Sequence, residues 1–268
     1  MIARAYVDTP AGRLHYAQVD GGPTAILMLH QTPRSHDEFA EVLPLLGRER
    51  RAIAMDMVGF GLSPPAPDPH TIEAMAAGVV ALAEALGLGT VAVMGHHTGA
   101  AVAIEAAASH PERVSALILS SPPWTGPEFR AAHADGPGVD DAETMANGSH
   151  LMELWAKREP FYPPNRPDIL NRFIRDALAP GLDPVEGHRA CARYEMERRI
   201  DRVTCPVLLI GAGLDPFAMP DLPVVEQALV NAPYRRVRVI EGGRIPLMEE
   251  YAPDVAREVG DFLDELGL

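Results

Sequence analysis

Residues 90–109 leave the backbone few choices. Thr90-Val91-Ala92-Val93-Met94 is a short apolar, partly β-branched run that suits a buried strand. Gly95-His96-His97-Thr98-Gly99 follows at once, and from Thr98 to Ser109 the chain is almost all alanine around Val102, Ile104 and Glu105. Alanine favours a helix and lets it pack closely on a sheet, and His110-Pro111 stops it. A strand must therefore turn into a helix within the pentapeptide. Its glycines let the backbone bend sharply and let the two elements approach. A turn this tight holds its apex residue, here His97, in strained dihedrals and presents that side chain at the carboxyl end of a strand. The plainer reading is an ordinary strand-to-helix turn with a solvated histidine.

The same alternation runs through most of the chain. Residues 2–7 and 13–19 read as an opening hairpin around Thr9-Pro10-Ala11-Gly12, then Ala25–Leu29 and Arg51–Met55 as buried strands separated by a helical stretch from His36 to Leu46. Ile72–Leu86 reads as a helix and Val114–Leu119 as a further strand. Alternation then stops. From Pro122 to Arg202 no strand pattern appears, and helices are expected near 144–157, 167–178 and 184–199. It resumes with Val207–Ile210, a helix at 222–230, a strand at Arg236–Ile240 and a last helix at 253–266. Strands joined by helices imply an α/β fold whose mostly parallel sheet is covered on both faces. A chain of 268 residues with 47% hydrophobic content can bury such a core plus an insertion. We expect a core of residues 1–121 and 203–268 and an inserted helical cap of residues 122–202.

A net charge of −14 argues against a nucleic-acid partner. No segment approaches the ~20 apolar residues of a membrane span, and the N-terminus lacks a basic-then-apolar signal pattern. The only two cysteines, Cys191 and Cys205, do not make a disulfide framework. These features fit a cytoplasmic protein. The adjacent His96 and His97 have no further ligands at metal-binding spacing, so no metal is expected.

Gly95–Gly99 has the spacing of the nucleophile elbow G-x-S-x-G, with histidine in place of serine. Leu29-His30-Gln31-Thr32-Pro33 after the third strand is similar to an HG-x-P loop, and Asp56-Met57-Val58-Gly59-Phe60-Gly61-Leu62-Ser63 after the fourth to D-x-x-G-x-G-x-S. His110-Pro111-Glu112-Arg113-Val114, then Gly211-Ala212-Gly213-Leu214-Asp215 after the seventh strand, and Glu241-Gly242-Gly243-Arg244-Ile245-Pro246 in the place of G-x-x-H-x-P complete the series. In this order the markers resemble the α/β-hydrolase superfamily over essentially the whole chain, in its cap-bearing group of C–C hydrolases, haloalkane dehalogenases, epoxide hydrolases and small esterases. The resemblance implies the α/β-hydrolase fold, no cofactor and a small-molecule substrate. It leaves the oligomeric state open.

The departures set the functional question. His97 stands at the nucleophile position and Arg244 at that of the catalytic histidine, while Asp215 retains the acid. Arginine stays protonated near neutral pH and cannot be a general base, so the resemblance implies an atypical triad of His97, Asp215 and Arg244. If these residues meet as in the family, Asp215 and Arg244 form a charged pair. Arg244 then favours neutral His97 imidazole and presents a fixed cation to an anionic substrate. The alternative is a pair that only stabilises the loops. The family's oxyanion hole maps onto the backbone N–H groups of Thr32 and Thr98, which survive the substitution at His97.

Further pocket candidates are His30, Gln31, Arg34, His96, Trp124 and Trp155. His30 commonly supports its loop, His96 is often structural, and a loop arginine such as Arg34 is as readily solvated as substrate-bound. Gln31 brings an amide near the oxyanion region. Phe161, Tyr162 and Tyr194 join the tryptophans as possible apolar cap wall, or as ordinary cap packing. Ser35 and Ser63 fall at no nucleophile position. The leading expectation is a hydrolase-like enzyme acting on a small carbonyl compound, an ester, lactone or β-dicarbonyl, through His97. A non-hydrolytic lyase, decarboxylase, isomerase or cyclase on the same scaffold, or a catalytically silent binding protein, remains open.

Overall fold

Strand residues alternate between two faces, and in the central strands both faces are buried. The computed structural model describes residues 1–133 and 140–268. Its eight strands are β1 (Ala3–Thr9), β2 (Gly12–Asp20), β3 (Ala25–Leu29), β4 (Arg51–Met55), β5 (Val91–His96), β6 (Val114–Ser120), β7 (Val207–Ala212) and β8 (Arg235–Ile240). They form one sheet in the order β1-β2-β4-β3-β5-β6-β7-β8. The β1–β2 and β2–β4 pairs are antiparallel and the rest parallel. Leu27, Leu29, Val93, Leu117 and Leu209 face one side, with α2 (Ile72–Ala85) and α3 (Thr98–Ser109). Their neighbours Ile26, Met28, Met94, Ile118 and Ile210 face the other, with α1 (Leu43–Leu46) and the C-terminal helix. This period of two in the pleat explains why these strands read as continuous apolar runs.

The strand order places the site. β3 lies between β4 and β5, so the chain reverses its direction of winding there, and ligands bind outside the carboxyl ends of strands at such a point. Leu29 of β3 is in register with Gly95 of β5. The loops that follow, His30–Pro33 and His96–Thr98, therefore emerge side by side.

Between β6 and β7 lie α4 (Pro127–His133), α5 (Ser149–Arg158), α6 (Pro167–Ala177) and α7 (Glu186–Arg193). The expected cap boundaries enclose these helices and also residues 134–139, which lie outside the described residues. After β7 come α8 (Leu222–Ala228), α9 (Leu247–Glu250) and α10 (Ala252–Glu265). No described helix is long and apolar enough to cross a membrane.

Two helix expectations are corrected. The stretch 36–46 splits into a 3-10 turn, His36–Phe39, and α1. The His36 N–H is drawn to the buried Asp56 carboxylate at 2.6 Å, and Ser35 caps the turn through Asp37 N–H. The stretch 184–199 ends as a helix at Arg193, because Tyr194 turns to an extended backbone and its hydroxyl donates to Glu105 on α3 at 2.9 Å. Local propensity yields to a tertiary anchor at both places.

Candidate active site

The turn after β5 is as tight as its glycines allow. A Cβ on Gly95 would lie 2.0 Å from the Gly99 carbonyl oxygen, and one on Gly99 would lie 2.1 Å from that of Leu29. His97 sits at the apex with φ 48° and ψ −116°, in the left-handed half of the map that a β-carbon disfavours. Its N–H donates to the Ser120 carbonyl at 3.0 Å, which ties the apex to the end of β6. The conformation aims the imidazole into a cavity of about 390 Å³. A second, polar cleft of about 310 Å³ between Glu73 and the arginines of 193–202 includes none of these residues.

Asp215 follows β7 and is brought to His97, not to Arg244. His97 Nε2 lies 2.9 Å from Asp215 Oδ2. The approach is close but bent, without a linear N–H···O alignment. The other carboxylate oxygen accepts the N–H groups of Phe217 and Ala218 at 3.0 and 3.2 Å. Burial by itself would raise the Asp215 pKa, but His97 and the two amides outweigh it and hold the carboxyl at about 2. Arg244 turns away and pairs with Glu250 at 3.1 Å. The expected Asp215–Arg244 pair is thus replaced by a His97–Asp215 pair. The long His97 side chain reaches the carboxylate from the apex itself, and Arg244 finds a carboxylate six residues along its own segment.

Thr32 and Thr98 both line the cavity, and their hydroxyls lie 2.9 Å apart. Among the described residues neither main-chain N–H is spent on a protein acceptor. Two free amides beside a histidine–carboxylate pair can stabilise an oxyanion while the imidazole moves a proton.

The remaining candidates fall into two groups. His30 and His96 are buried and structural. His30 Nδ1 donates to the Gln31 carbonyl at 2.7 Å and Nε2 accepts from Met57 N–H at 3.0 Å. His96 Nε2 donates to the Ile245 carbonyl at 2.9 Å, and Nδ1 accepts from Ser120 Oγ at 3.0 Å. Burial lowers their pKa values to about 4 and about 3, so both are neutral. Gln31 lines the cavity, but its main-chain and side-chain N–H groups are given to Glu38, at 2.8 and 2.6 Å.

Arg34, Trp124 and Trp155 do not line the cavity. Arg34 is fully buried behind the loop, with Nε 3.0 Å from Asp176 and Nη1 2.7 Å from Glu249. A wholly buried guanidinium needs carboxylates, and these come from helices remote in sequence. Trp124 packs on the core with its main-chain N–H given to Asp221, and Trp155 packs among the helices around Phe173. Tyr162 and Tyr194 are buried in packing roles, whereas Phe161 stacks edge-on against Phe217 of the cavity wall at 4.9 Å.

The aromatic and charged or imidazole-bearing cavity residues that sequence reading missed are Phe129, His133, Arg158, His188, Arg189 and Phe217. All but Phe217 come from the helices between β6 and β7, where no motif announces them. Cys191 also lines the cavity, but burial pushes its thiol up to about 12 and its neighbour is the Thr98 hydroxyl, so it is no thiolate nucleophile. Among the described residues one metal-capable cluster forms, from His15, His36 and Asp56. Both Nδ1 atoms lie 2.8 Å from the Asp56 carboxylate, which also takes the N–H groups of His36 and Leu62. These hydrogen bonds tie the D-x-x-G-x-G-x-S loop to β2.

A sheet of this order with a strained apex after β5 and an acid after β7 is an α/β-hydrolase scaffold. The model of the alpha/beta hydrolase fold family matches residues 24–251, and the chain belongs to that family. It is 28% identical over 263 residues to an N-formylmaleamate deformylase of Pseudomonas putida, covering 95% of this chain and 86% of the relative. An enol-lactonase from Burkholderia xenovorans LB400 superposes with a TM-score of 0.79 at 19% identity, over 97% of this chain and all of that one. An E-2-(acetamidomethylene)succinate hydrolase does so with a TM-score of 0.76 at 18% identity, over 98% and 100%.

Proposed function

We propose that the protein is a hydrolase of small carbonyl compounds that uses a His97–Asp215 dyad, with water as the nucleophile and the helices of residues 122–202 as a cap. The observation that carries this is His97 at the elbow apex, 2.9 Å from Asp215 and beside the unspent N–H groups of Thr32 and Thr98. In a Ser-His-Asp triad the carboxylate orients the imidazole and stabilises the imidazolium. Here the same pair exists and the serine is missing, so water takes its place.

With its proton on Nε2, on the side of Asp215, His97 keeps the Nδ1 lone pair for a water in the cavity. The water oxygen bonds to the substrate carbonyl carbon as its proton passes to Nδ1, and the carbonyl electrons become an oxyanion held by the Thr32 and Thr98 amides. Collapse breaks the bond to the leaving amine, alcohol or enol, which takes the proton back from Nδ1. A carboxylic acid and the protonated leaving group result. The apex position also favours direct attack by the imidazole, giving an acyl-imidazole. A pre-steady-state burst of leaving group distinguishes that route from the water route.

The relatives' names support the carbonyl class. A deformylase, an enol-lactonase and an (acetamidomethylene)succinate hydrolase are named for amide or lactone cleavage. N-formylmaleamate and (acetamidomethylene)succinate also carry carboxylates, which supports an anionic substrate. His97→Ala should abolish turnover of amide, ester and lactone panels, with incorporation of ¹⁸O from labelled water into the wild-type acid product. Wild-type turnover in His97→Ala sinks the dyad. Turnover without ¹⁸O incorporation points to lyase or isomerase chemistry instead.

A further inference from the structure

The helical side of the cavity carries a charge pattern that the dyad chemistry does not use. Apart from the Cys191 thiol, four titratable side chains reach the cavity from α4, α5 and α7, and all four are basic: His133, Arg158, His188 and Arg189. No carboxylate lines it among the described residues, although the chain as a whole has a net charge of −14. An acidic protein has gathered basic side chains at the wall of one cavity.

Arg158 is the centre of this group. It is only 5% exposed and its guanidinium packs over the Phe173 ring, 4.8 Å from the centroid, which fixes its plane. Nε and Nη2 donate to Asp140, the former at 2.6 Å. Asp140 also accepts from His188 Nε2 at 2.8 Å. Burial would raise the Asp140 pKa, but the His188 hydrogen bond and the Arg158 charge keep it below the usual carboxylate range. One buried carboxylate thus orients both a guanidinium and an imidazole. Among the described residues Arg158 Nη1 has no protein acceptor, and Arg158 and His188 both border the cavity. A purely structural ion pair between the α5 end and residue 140 accounts for Nε and Nη2. It does not account for a third donor left over at a cavity wall, nor for a cavity-lining imidazole on the same anchor.

We propose that Arg158, with His188 beside it and both oriented by Asp140, is the seat for a substrate carboxylate. The substrate class is a small carboxylic acid whose cleavable acyl group lies at the elbow. The cavity volume, about 390 Å³, is near the small end of the ~300–1,000 Å³ range of ligand sites. The proposal rests on the hydrolase reading only in taking this cavity as the substrate site.

Calorimetric binding of succinate and of its neutral isostere succinamide to the full chain tests it. Succinate should bind more tightly, and Arg158→Met should weaken succinate by about 10- to 100-fold while leaving succinamide little changed, the loss of a charge-assisted hydrogen bond. Because Arg158→Met leaves Asp140 buried and uncompensated, the double variant Arg158→Met with Asp140→Asn removes both charges and serves if the single one does not fold. His188→Gln should lower succinate affinity by a smaller factor. Equal affinity for the two probes, no succinate binding, or a succinate preference retained in the Arg158 variants overturns the proposal. So does a preference lost in Arg244→Gln instead. His97→Ala should keep the succinate preference, so a failure of the dyad chemistry and a failure of the carboxylate seat give different results.

Discussion

Replacing Asp215 by Asn keeps the shape of the acid and removes its charge, and the structure sets the expected size of both consequences. Asp215 is 1% exposed and its pKa falls from 3.8 to about 2, a shift of roughly two units that corresponds to about 2 kcal/mol of preference for the ionised form. The native pKa lies below the unfolded one. This stabilisation is therefore present above about pH 4 and is lost as pH falls through about 2. Urea denaturation at neutral pH should show Asp215→Asn less stable by about 2 kcal/mol, and its stability should fall less than that of the wild type between pH 4 and pH 2. The Asn oxygen can still accept the Phe217 and Ala218 amides, so the loop stays in place. Its NH₂ then faces His97 Nε2 and favours the tautomer protonated at Nδ1, where the base is needed. In a Ser-His-Asp triad the equivalent change costs about 10⁴ in kcat, and a drop of about 10³–10⁴ with little change in KM is expected here. The assay is kcat and KM on the best substrate from an amide, ester and lactone panel. Activity within about tenfold of wild type refutes the dyad, whatever happens to stability.

The remaining expectations concern the frame of the site. Gly99→Ala drives a methyl to 2.1 Å from the Leu29 carbonyl oxygen and 2.8 Å from that of His30, both backbone atoms that cannot swing away. It should cost about 3 kcal/mol in urea denaturation, and a loss below about 0.5 kcal/mol contradicts the close approach of β3 and α3. Glu38 has its pKa pushed up to about 8 by burial, with Glu249 raised too. Glu38 then keeps in the folded chain a proton that it loses in the unfolded one, so between pH 6.5 and 8, above the range in which His30 and His96 would titrate in the unfolded chain, stability should fall as pH rises. Glu38→Gln should flatten the fall of Tm with pH, and an unchanged slope excludes Glu38 as its source.

The fold was legible where local pattern and tertiary demand agree. Buried strands such as Ala25–Leu29 and Val91–Met94 are apolar on both faces because helices cover both, and the alanine-rich α3 must lie close to the sheet. Sequence reading failed where a distant partner decides. The break in the helix at Tyr194 depends on Glu105, and the split of residues 36–46 depends on Asp56, neither of which is a neighbour in the chain.

The candidate site divides along the same line. The sequence by itself determined that a histidine stands at the apex of a strained turn, with an acid after β7 and no histidine after β8, because turn geometry and motif spacing are local properties of the chain. Only the tertiary structure decided which groups meet. It gave Asp215 to His97 and Arg244 to Glu250, enclosed Arg34 among Asp176 and Glu249, and brought Arg158 and His188 to one carboxylate at the cavity. Charged side chains pair over a few ångströms in space, and a chain brings such partners together from any distance along its length.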